Sequence, residues 1–390
     1  MLSHTTAPAT VQQVLRHCSE ASFIENAHAQ RVLGRIRRCR TAALGYHVYK
    51  CSNHDCGHIK YQYHSCRDRH CPCCGAIKKQ EWIEARMQEL LPVKYYHVVF
   101  TLPHELNSIV LGNRRALFKL LFDASSATLL TFAKDPQYLQ AQPGIISVLH
   151  TWGQQLSFHP HLHCIVSGGG ITKDNKWRQA KKSQYRFLFP VKAMQQVYKG
   201  KFMQGLKQLI ATGEVNLPAA TDIKQLLNIL YEKNWVVYAK APFGGPHAVI
   251  EYLGRYTHKV AISNHRLISV DEQAGTVTFN YKDYSDGNKT RQMVLTCDEF
   301  MRRFAQHILP ERFTKIRTYG YLANRNRHQR INEVLKAMQL PLHKGLLKVP
   351  VQVALLLHYG VDINECPCCK HQTMQLVQVV YSTTKGADDG

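Results

Sequence analysis

Apolar and polar residues follow two different periods along the chain, and the two periods predict different elements. Four stretches show the three-to-four-residue spacing of amphipathic helices, namely residues 10–43, 77–91, 107–132 and 191–211. Residues 94–103, KYYHVVFTLP, form the continuous apolar run of a buried central strand. Three later stretches, RLISV, TVTFNYK and NKTRQMVL, predict further strands. This mixture predicts an α+β fold with a central antiparallel sheet flanked by helices.

The strongest strand pattern lies between residues 145 and 170. Residues 145–152 and 161–167 are both rich in β-branched and apolar residues. The segment between them contains Gly153 and a polar run, so the stretch predicts a β-hairpin. Three glycines at positions 168–170 are expected to close the second strand and force a turn.

Histidines on this hairpin are candidate metal ligands. His161 and His163 are two residues apart, so their imidazoles leave the same face of the sheet. With the hairpin tip between Gln155 and Leu156, His150 lies directly opposite His161 and diagonal to His163. Three neutral imidazoles suit a divalent metal. The alternative is that these are ordinary strand residues, and a one-residue shift in register would remove His150 from the group.

Composition narrows the class of partner. The 390 residues are enough for two or three domains. Fifty Lys and Arg residues against 27 Asp and Glu give a net charge of +23, which favours nucleic acid over the alternative of a membrane surface.

No apolar run approaches the length of a bilayer span, and residues 1–15 lack the pattern of a signal peptide, so we predict a cytoplasmic protein. Its 13 cysteines are then expected to be thiols or metal ligands.

The cysteines show a spacing typical of zinc binding. Cys51 and Cys56 form one pair and Cys71 and Cys74 a second. Two such pairs predict a structural zinc ribbon that contacts DNA, because tetrahedral zinc takes four ligands brought together from two turns. Further potential ligands leave open a second ion or a different choice of donors: Cys66, Cys73, His58, His64 and His70.

Another cysteine pair lies near the end of the chain. Cys366 and Cys369 are either free surface thiols or half of a metal site completed by Cys368, His371 or a distant residue. The polar residues 382–390 that follow are predicted to be disordered.

Two tyrosines are candidate nucleophiles. A helix is predicted to begin after residues 244–246, GGP, and on it Tyr252 and Tyr256 are four residues apart. Arg255 and Lys259 lie close by and are candidate DNA contacts. Both tyrosines could instead pack in the core. The upstream histidine hairpin favours a nucleophilic role, because a phenol attacks phosphorus only when a cation polarises the phosphate.

A basic stretch, residues 311–331, has Tyr319 and Tyr321 interleaved among its cationic side chains. This mixture is suited to gripping a nucleic-acid backbone while stacking bases. Its candidate DNA contacts are Arg317, Arg325 and Arg327. A solvated basic face is the alternative interpretation.

Six stretches, found in the order in which the family has them, resemble the rolling-circle transposases of the IS91 family, two-tyrosine members of the HUH endonuclease superfamily. They are CRTAALGYH at Cys39, SCRDRHCPCCG at Ser65, HVVFTLP at His97, FHPHLHCIVSGGG at Phe158, YLGRYTHKVAISNHR at Tyr252 and RTYGYLANR at Arg317.

The resemblance implies a site and a reaction. His161 and His163 would hold a divalent cation, Mg²⁺ or Mn²⁺, with His150 as third ligand and His97 as an alternative. Tyr252 and Tyr256 would be the nucleophiles. One phenol would attack a phosphodiester of single-stranded DNA, leaving a 5′-phosphotyrosine and a free 3′-hydroxyl.

The expected organisation has four consecutive segments. Residues 1–93 form a helical and zinc-ribbon DNA-binding module, 94–270 an HUH nuclease domain, 271–345 a β-hairpin and basic helical DNA-binding region, and 346–390 a C-terminal segment. The expected partner is single-stranded DNA of the element's ends and target, at the bacterial nucleoid. The sequence contains no GxxxxGK[ST] P-loop, so unwinding is expected to come from a host helicase or replication factors.

Three other functions are compatible with parts of this pattern. A plasmid rolling-circle replication initiator or relaxase would use the same chemistry on a different substrate. A zinc-dependent DNA-binding regulator would have no catalysis. A metal-assisted hydrolase would release uncoupled DNA ends.

Overall fold

The computed structural model describes residues 9–17, 26–180, 188–219, 221–240, 248–249, 254, 261–343, 345 and 349–382. The chain forms two compact units. Unit 1 comprises Met1–Glu81, His258–Ile308 and Leu347–Gly390, and unit 2 comprises Trp82–Thr257 and Leu309–Leu346. This differs from the four consecutive segments predicted from the sequence, because strands from distant parts of the chain pair with one another.

The helices and strands are numbered in chain order over the described residues. The helices are α1 (Val11–His17), α2 (Ala27–Arg38), α3 (Ala76–Glu89), α4 (Asn107–Gly112), α5 (Arg114–Lys134), α6 (Val191–Ala211), α7 (Ile223–Glu232), α8 (Cys297–Gln306), α9 (Arg327–Ala337) and α10 (Val351–Tyr359). The strands are β1 (Gly45–Cys51), β2 (Ile59–Tyr63), β3 (Tyr95–Thr101), β4 (Gln142–Trp152), β5 (Phe158–Ile171), β6 (Trp177–Gln179), β7 (Val237–Lys240), β8 (Leu267–Asp271), β9 (Thr276–Asp283), β10 (Lys289–Thr296), β11 (Ile316–Gly320) and β12 (Met374–Tyr381).

Unit 2 is built on a six-stranded sheet. Its strands follow the order β11-β4-β5-β3-β7, with β6 paired to β5, and all of these pairs are antiparallel. The predicted α+β fold, with a central antiparallel sheet flanked by helices, is confirmed.

Side chains of this sheet alternate between two faces, since successive residues of a strand point in opposite directions. On one face Phe100 and Leu162 belong to a core that includes Phe118 of α5. On the other face Ile146 and Ile165 belong to a second core. Both faces are therefore covered, which explains the continuous apolar run of β3.

The three glycines predicted to force a turn lie inside β5, so that prediction is wrong. The strand continues to Ile171 and pairs with β6, with Gly169 opposite Gln179. A Cβ atom on Gly169 would lie only 2.3 Å from Cζ2 of Trp177. Glycine is required here because an indole ring lies against the backbone.

Unit 1 contains two small antiparallel sheets, β12-β1-β2 and β10-β9-β8. Strand β1 pairs with β12 from Gly45, opposite Tyr381, to Cys51, opposite Met374. The predicted β9–β10 hairpin is present, and Phe279 on it contacts Phe300 of α8, with 6.0 Å between ring centroids. The β1–β12 pairing joins two segments more than 300 residues apart in sequence.

Helix α5 qualifies the expectation that no apolar run approaches the length of a bilayer span. Its 21 residues are long and apolar enough by length and composition alone. Most of its apolar window is buried, and Phe118, Leu121 and Phe122 belong to the core of unit 2. A buried core helix passes the same composition test as a membrane span, so α5 is weak support for a membrane segment.

Candidate active site and metal centres

The histidine hairpin folds in the predicted register. Strands β4 and β5 place His150 opposite His161 and Val148 opposite His163. At the tip the Gly153 N–H donates to the carbonyl of Ser157 over 2.9 Å. Because that turn sets the pairing, all three histidines leave the same face of the sheet.

The three imidazoles converge. One nitrogen atom from each of His150, His161 and His163 lies within 4.8 Å of the others. Burial lowers the pKa of His161 to about 4 and that of His163 well below its usual value. Both rings are therefore neutral at pH 7 and offer lone pairs, which is the form that binds a divalent metal.

Hydrogen bonds orient two of these rings. The Nδ1–H of His161 donates to the carbonyl of His159 over 2.7 Å, which leaves Nε2 as the ligand atom. Nδ1 of His163 lies 2.9 Å from Nε2 of His97, and the planes of the two rings are parallel to within 2°. Donation from His163 to His97 leaves Nε2 of His163 as its ligand atom in the same way. A hydrogen bond from the ring nitrogen that does not bind the metal is typical of metal-binding histidines, because it fixes the tautomer and the orientation of the ring.

His97 therefore lies against His163, a candidate metal ligand, and accepts its hydrogen bond. Its side chain is 1% exposed, and burial lowers its pKa to about 3, so its ring is neutral and can accept a hydrogen bond. The structure places His150 in the convergent group and His97 against His163, outside that group.

The predicted nucleophiles cannot be placed. Tyr252, Tyr256, Arg255 and Lys259 lie outside the described residues. Their roles stay predictions.

The three arginines predicted to bind DNA have different surroundings. The guanidinium of Arg317 stacks over Phe122, 4.3 Å from the ring centroid. Arg327 donates to the carbonyl of Leu322 and to the side chains of Thr318 and Asn324 at 2.7–3.0 Å. Arg325 is exposed. Two of the three arginines, Arg317 and Arg327, thus contact other residues of the protein.

The tyrosines of the basic stretch do not form the predicted stacking surface. Tyr321 is 1% exposed and lies in the second core of unit 2, near Trp177. Tyr319 packs against the first core. The prediction that both stack on bases is wrong for Tyr321, because that ring is sealed in the interior.

The cysteines of unit 1 converge in two groups rather than in the single predicted ribbon. Cys39, Cys66, Cys71 and Cys74 form the first group, and Cys51, Cys56, Cys366 and Cys369 form the second. In each group the four sulfur atoms lie within 4.8 Å of one another. The two predicted pairs are therefore divided between the groups: Cys39 and Cys66 complete the Cys71–Cys74 pair, and Cys366 and Cys369 complete the Cys51–Cys56 pair.

The first group includes Cys66, one of the further potential ligands indicated by the sequence, and Cys39, which the cysteine spacing does not indicate. Cys39 stands alone at the end of α2, and its spacing from the other cysteines carries no recognisable signal. His70 is not in the group: its Nδ1 lies 2.9 Å from a carboxylate oxygen of Asp68. Cys73 also stays outside, accepting a hydrogen bond from Gln12 over 3.1 Å.

Comparison with known proteins identifies the family. A profile described as "Putative transposase" matches residues 144–330, and a transposase zinc-binding domain profile of the IS91 type matches residues 10–102. "Putative transposase y4qJ" of Sinorhizobium fredii is 39% identical over 373 residues, covering 91% of this chain and 90% of the relative. This chain belongs to the IS91 family of rolling-circle transposases. The transposase for insertion sequence element IS801 of Pseudomonas savastanoi pv. phaseolicola is 29% identical to it over 385 residues, covering 97% of this chain and 90% of the relative.

Solved structures add little to this identification. The conjugative relaxase TrwC in complex with oriT DNA, in a metal-bound structure, is 11% identical, covering 65% of this transposase and 96% of the relaxase. The TM-score is 0.25, so no conclusion about this transposase rests on that likeness.

The matched regions contain most of the candidate sites of this transposase. His150, His161 and His163, here called the histidine cluster, lie within the range matched by the transposase profile. The first cysteine group lies within the range matched by the zinc-binding profile. The transposase therefore acts on DNA and carries a zinc-binding domain. Cys366 and Cys369 lie beyond both matched ranges.

Proposed function

We propose that this transposase cuts and rejoins single-stranded DNA by tyrosine attack at the histidine cluster. The observation that supports this most strongly is the convergence of three imidazoles, of which His161 and His163 are neutral and have Nε2 available as the ligand atom. Such a set of donors fits a divalent cation.

The protein's role at this centre is to hold and orient the cation's ligands. His150, His161 and His163 would hold Mg²⁺ or Mn²⁺, while the His159 carbonyl and His97 keep two of the rings in the ligating tautomer. The bound cation would polarise the phosphate and favour attack by a phenol that ordinarily ionises near pH 10.

The nucleophiles in this proposal are Tyr252 and Tyr256. The phenol of one gives up its proton to solvent as its oxygen attacks phosphorus, the bond from phosphorus to the 3′ oxygen breaks, and that oxygen takes up a proton from solvent. The products are a 5′-phosphotyrosine and a free 3′-hydroxyl. No water is consumed, so a 3′-hydroxyl can later attack the phosphotyrosine and restore a phosphodiester without ATP. The second tyrosine can accept the other strand.

The substrate in this proposal is single-stranded DNA of the element's ends and target, in the bacterial cytoplasm at the nucleoid. The net charge of +23 favours a phosphate backbone as partner.

A covalent adduct is the decisive product. The protein would be incubated with end-labelled single-stranded DNA of the element's end and Mg²⁺ or Mn²⁺, and the products separated on denaturing gels. We expect a labelled band at the size of the protein that protease digestion removes. Tyr252→Phe and Tyr256→Phe tested singly show which residue attacks first, and the double variant should form no adduct. Tyr231→Phe is the control, since Tyr231 is 44% exposed on α7 of the same unit.

The rival functions give different products. Cleaved DNA without an adduct would indicate hydrolysis, and binding without cleavage would indicate a regulator. An adduct formed with a plasmid origin but not with the element's end would indicate an initiator or relaxase. His161→Ala and His163→Ala should abolish the adduct, whereas His104→Ala, which alters an exposed histidine of unit 2, should not.

A further inference from the structure

The second cysteine group brings together two distant parts of unit 1. Sγ of Cys51 lies 3.7 Å from Sγ of Cys369, and Sγ of Cys56 lies 3.7 Å from Sγ of Cys366. A disulfide would require about 2.05 Å. A tetrahedral zinc with bonds of about 2.3 Å sets its sulfurs about 3.8 Å apart. The observed spacing is that of four zinc ligands.

A short motif occurs in both cysteine groups. The sequence CPCC stands at residues 71–74 and again at 366–369. In each copy the first and fourth residues enter the group, while Cys73 and Cys368 stay outside it. The residue after each copy is left-handed, with φ of +90° at Gly75 and +62° at Lys370. Both copies thus end at a residue with a left-handed backbone conformation.

Backbone N–H groups are directed at sulfur atoms of both cysteine groups. The backbone N–H of His58 is directed at the sulfur of Cys56, and that of His371 at the sulfur of Cys369. In the first group the N–H of Asp68 is directed at Cys66 in the same way, again two residues after the cysteine. Donors aimed at sulfur stabilise its negative form, which is the form that binds metal.

The second group is also sheltered from solvent. Cys51 is 2% exposed and Cys366 is fully buried. Oγ1 of Thr373 lies 3.0 Å from Sγ of Cys51, and the N–H of Ser52 donates to the carbonyl of Thr373 over 2.8 Å. These contacts continue the β1–β12 pairing up to the sulfur atoms.

We propose that Cys51, Cys56, Cys366 and Cys369 form a second structural zinc site, which fastens the C-terminal strand β12 to the N-terminal zinc-binding module. The transposase then binds two zinc ions, and one of them depends on cysteines outside the matched zinc-binding domain. Four thiolates and no open position make this a structural centre rather than a catalytic one.

Zinc stoichiometry tests the proposal on the full chain. Metal content would be measured by mass spectrometry after exhaustive dialysis. Every chain carries His161→Ala and His163→Ala, so that the histidine cluster does not contribute zinc. In this background we expect two zinc ions per chain, and one per chain once Cys366→Ser/Cys369→Ser is added. Cys368→Ser is the matched control, because Cys368 is exposed and lies directly before Cys369, and it should retain two. One zinc in the parent background, or two after Cys366→Ser/Cys369→Ser is added, would overturn the proposal.

A second measurement avoids variants that fail to fold. The zinc-loaded wild-type protein would be treated with iodoacetamide, and modified cysteines located by peptide mass spectrometry. We expect rapid alkylation of Cys368 and protection of Cys369, which is only partly buried. Addition of a zinc chelator should remove that protection. Equal alkylation of the two residues in the presence of zinc would contradict the proposal.

Discussion

The hydrogen bond from His163 to His97 leads to a prediction about metal affinity. In the metal-binding tautomer Nδ1–H of His163 donates to Nε2 of His97, 2.9 Å away, with both rings buried. His97→Phe keeps a buried aromatic ring but removes the acceptor. His97→Gln keeps an acceptor in the carbonyl oxygen of its side chain. We expect the first variant to bind Mn²⁺ much more weakly than the second.

The size of the effect follows from burial. An unsatisfied buried donor costs about 1–3 kcal/mol, which corresponds to about 5–150-fold in a binding constant. Without metal, His163 can shift its proton to Nε2, so the cost falls mainly on the metal-bound state. Loss of a residue that hydrogen-bonds a metal ligand typically weakens metal affinity by about 10–100-fold. We therefore expect His97→Phe to raise the Kd for Mn²⁺ by about 10–100-fold.

The measurement is a calorimetric titration of Mn²⁺ into zinc-loaded protein, with melting curves of each variant recorded without Mn²⁺. We expect His97→Gln to stay within a few-fold of wild type and the adduct yield at limiting Mn²⁺ to follow affinity. If His97→Phe bound Mn²⁺ as tightly as wild type while remaining folded, the assigned role of His97 would be wrong.

Two further predictions concern unit 2. Gly320→Ala should lower the melting temperature strongly, because φ is +68° and a Cβ would lie 1.6 Å from the carbonyl oxygen of Pro143; strain alone costs about 1–3 kcal/mol. Gly200→Ala, in α6 with open space around it, should instead stabilise by about 0.5–1 kcal/mol, and equal melting temperatures for the two variants would contradict this. Arg327→Ala should destabilise the protein through its lost hydrogen bonds. Arg325→Ala should leave stability unchanged and reduce the salt dependence of DNA binding by about one phosphate contact, which fluorescence anisotropy at several salt concentrations would measure.

The local pattern of apolar and polar residues was enough to predict many elements of unit 2. The register of β4 and β5 could be predicted because side chains alternate strictly along a strand and a short turn sets the pairing, so the positions of His150, His161 and His163 followed from their numbers. The helices α5 and α6 were predicted from the three-to-four-residue spacing of their apolar residues, and the strands β8, β9 and β10 from their own runs of strand-forming residues.

Grouping of distant residues was beyond local pattern. Cys56 and Cys366 meet although 310 positions separate them, and spacing along the chain contains no signal for such a contact. Tyr321 lies in a basic stretch that suggests a surface, yet packing buries it.

The sequence by itself determined many of the helices and strands, the face of the hairpin that carries the three histidines and the resemblance to the family. The tertiary structure decided which cysteines converge, that His97 lies against His163, and which arginines contact other residues of the protein. The physical reason is that side-chain periodicity acts over a few residues, whereas these contacts depend on how distant strands pair and how the core packs.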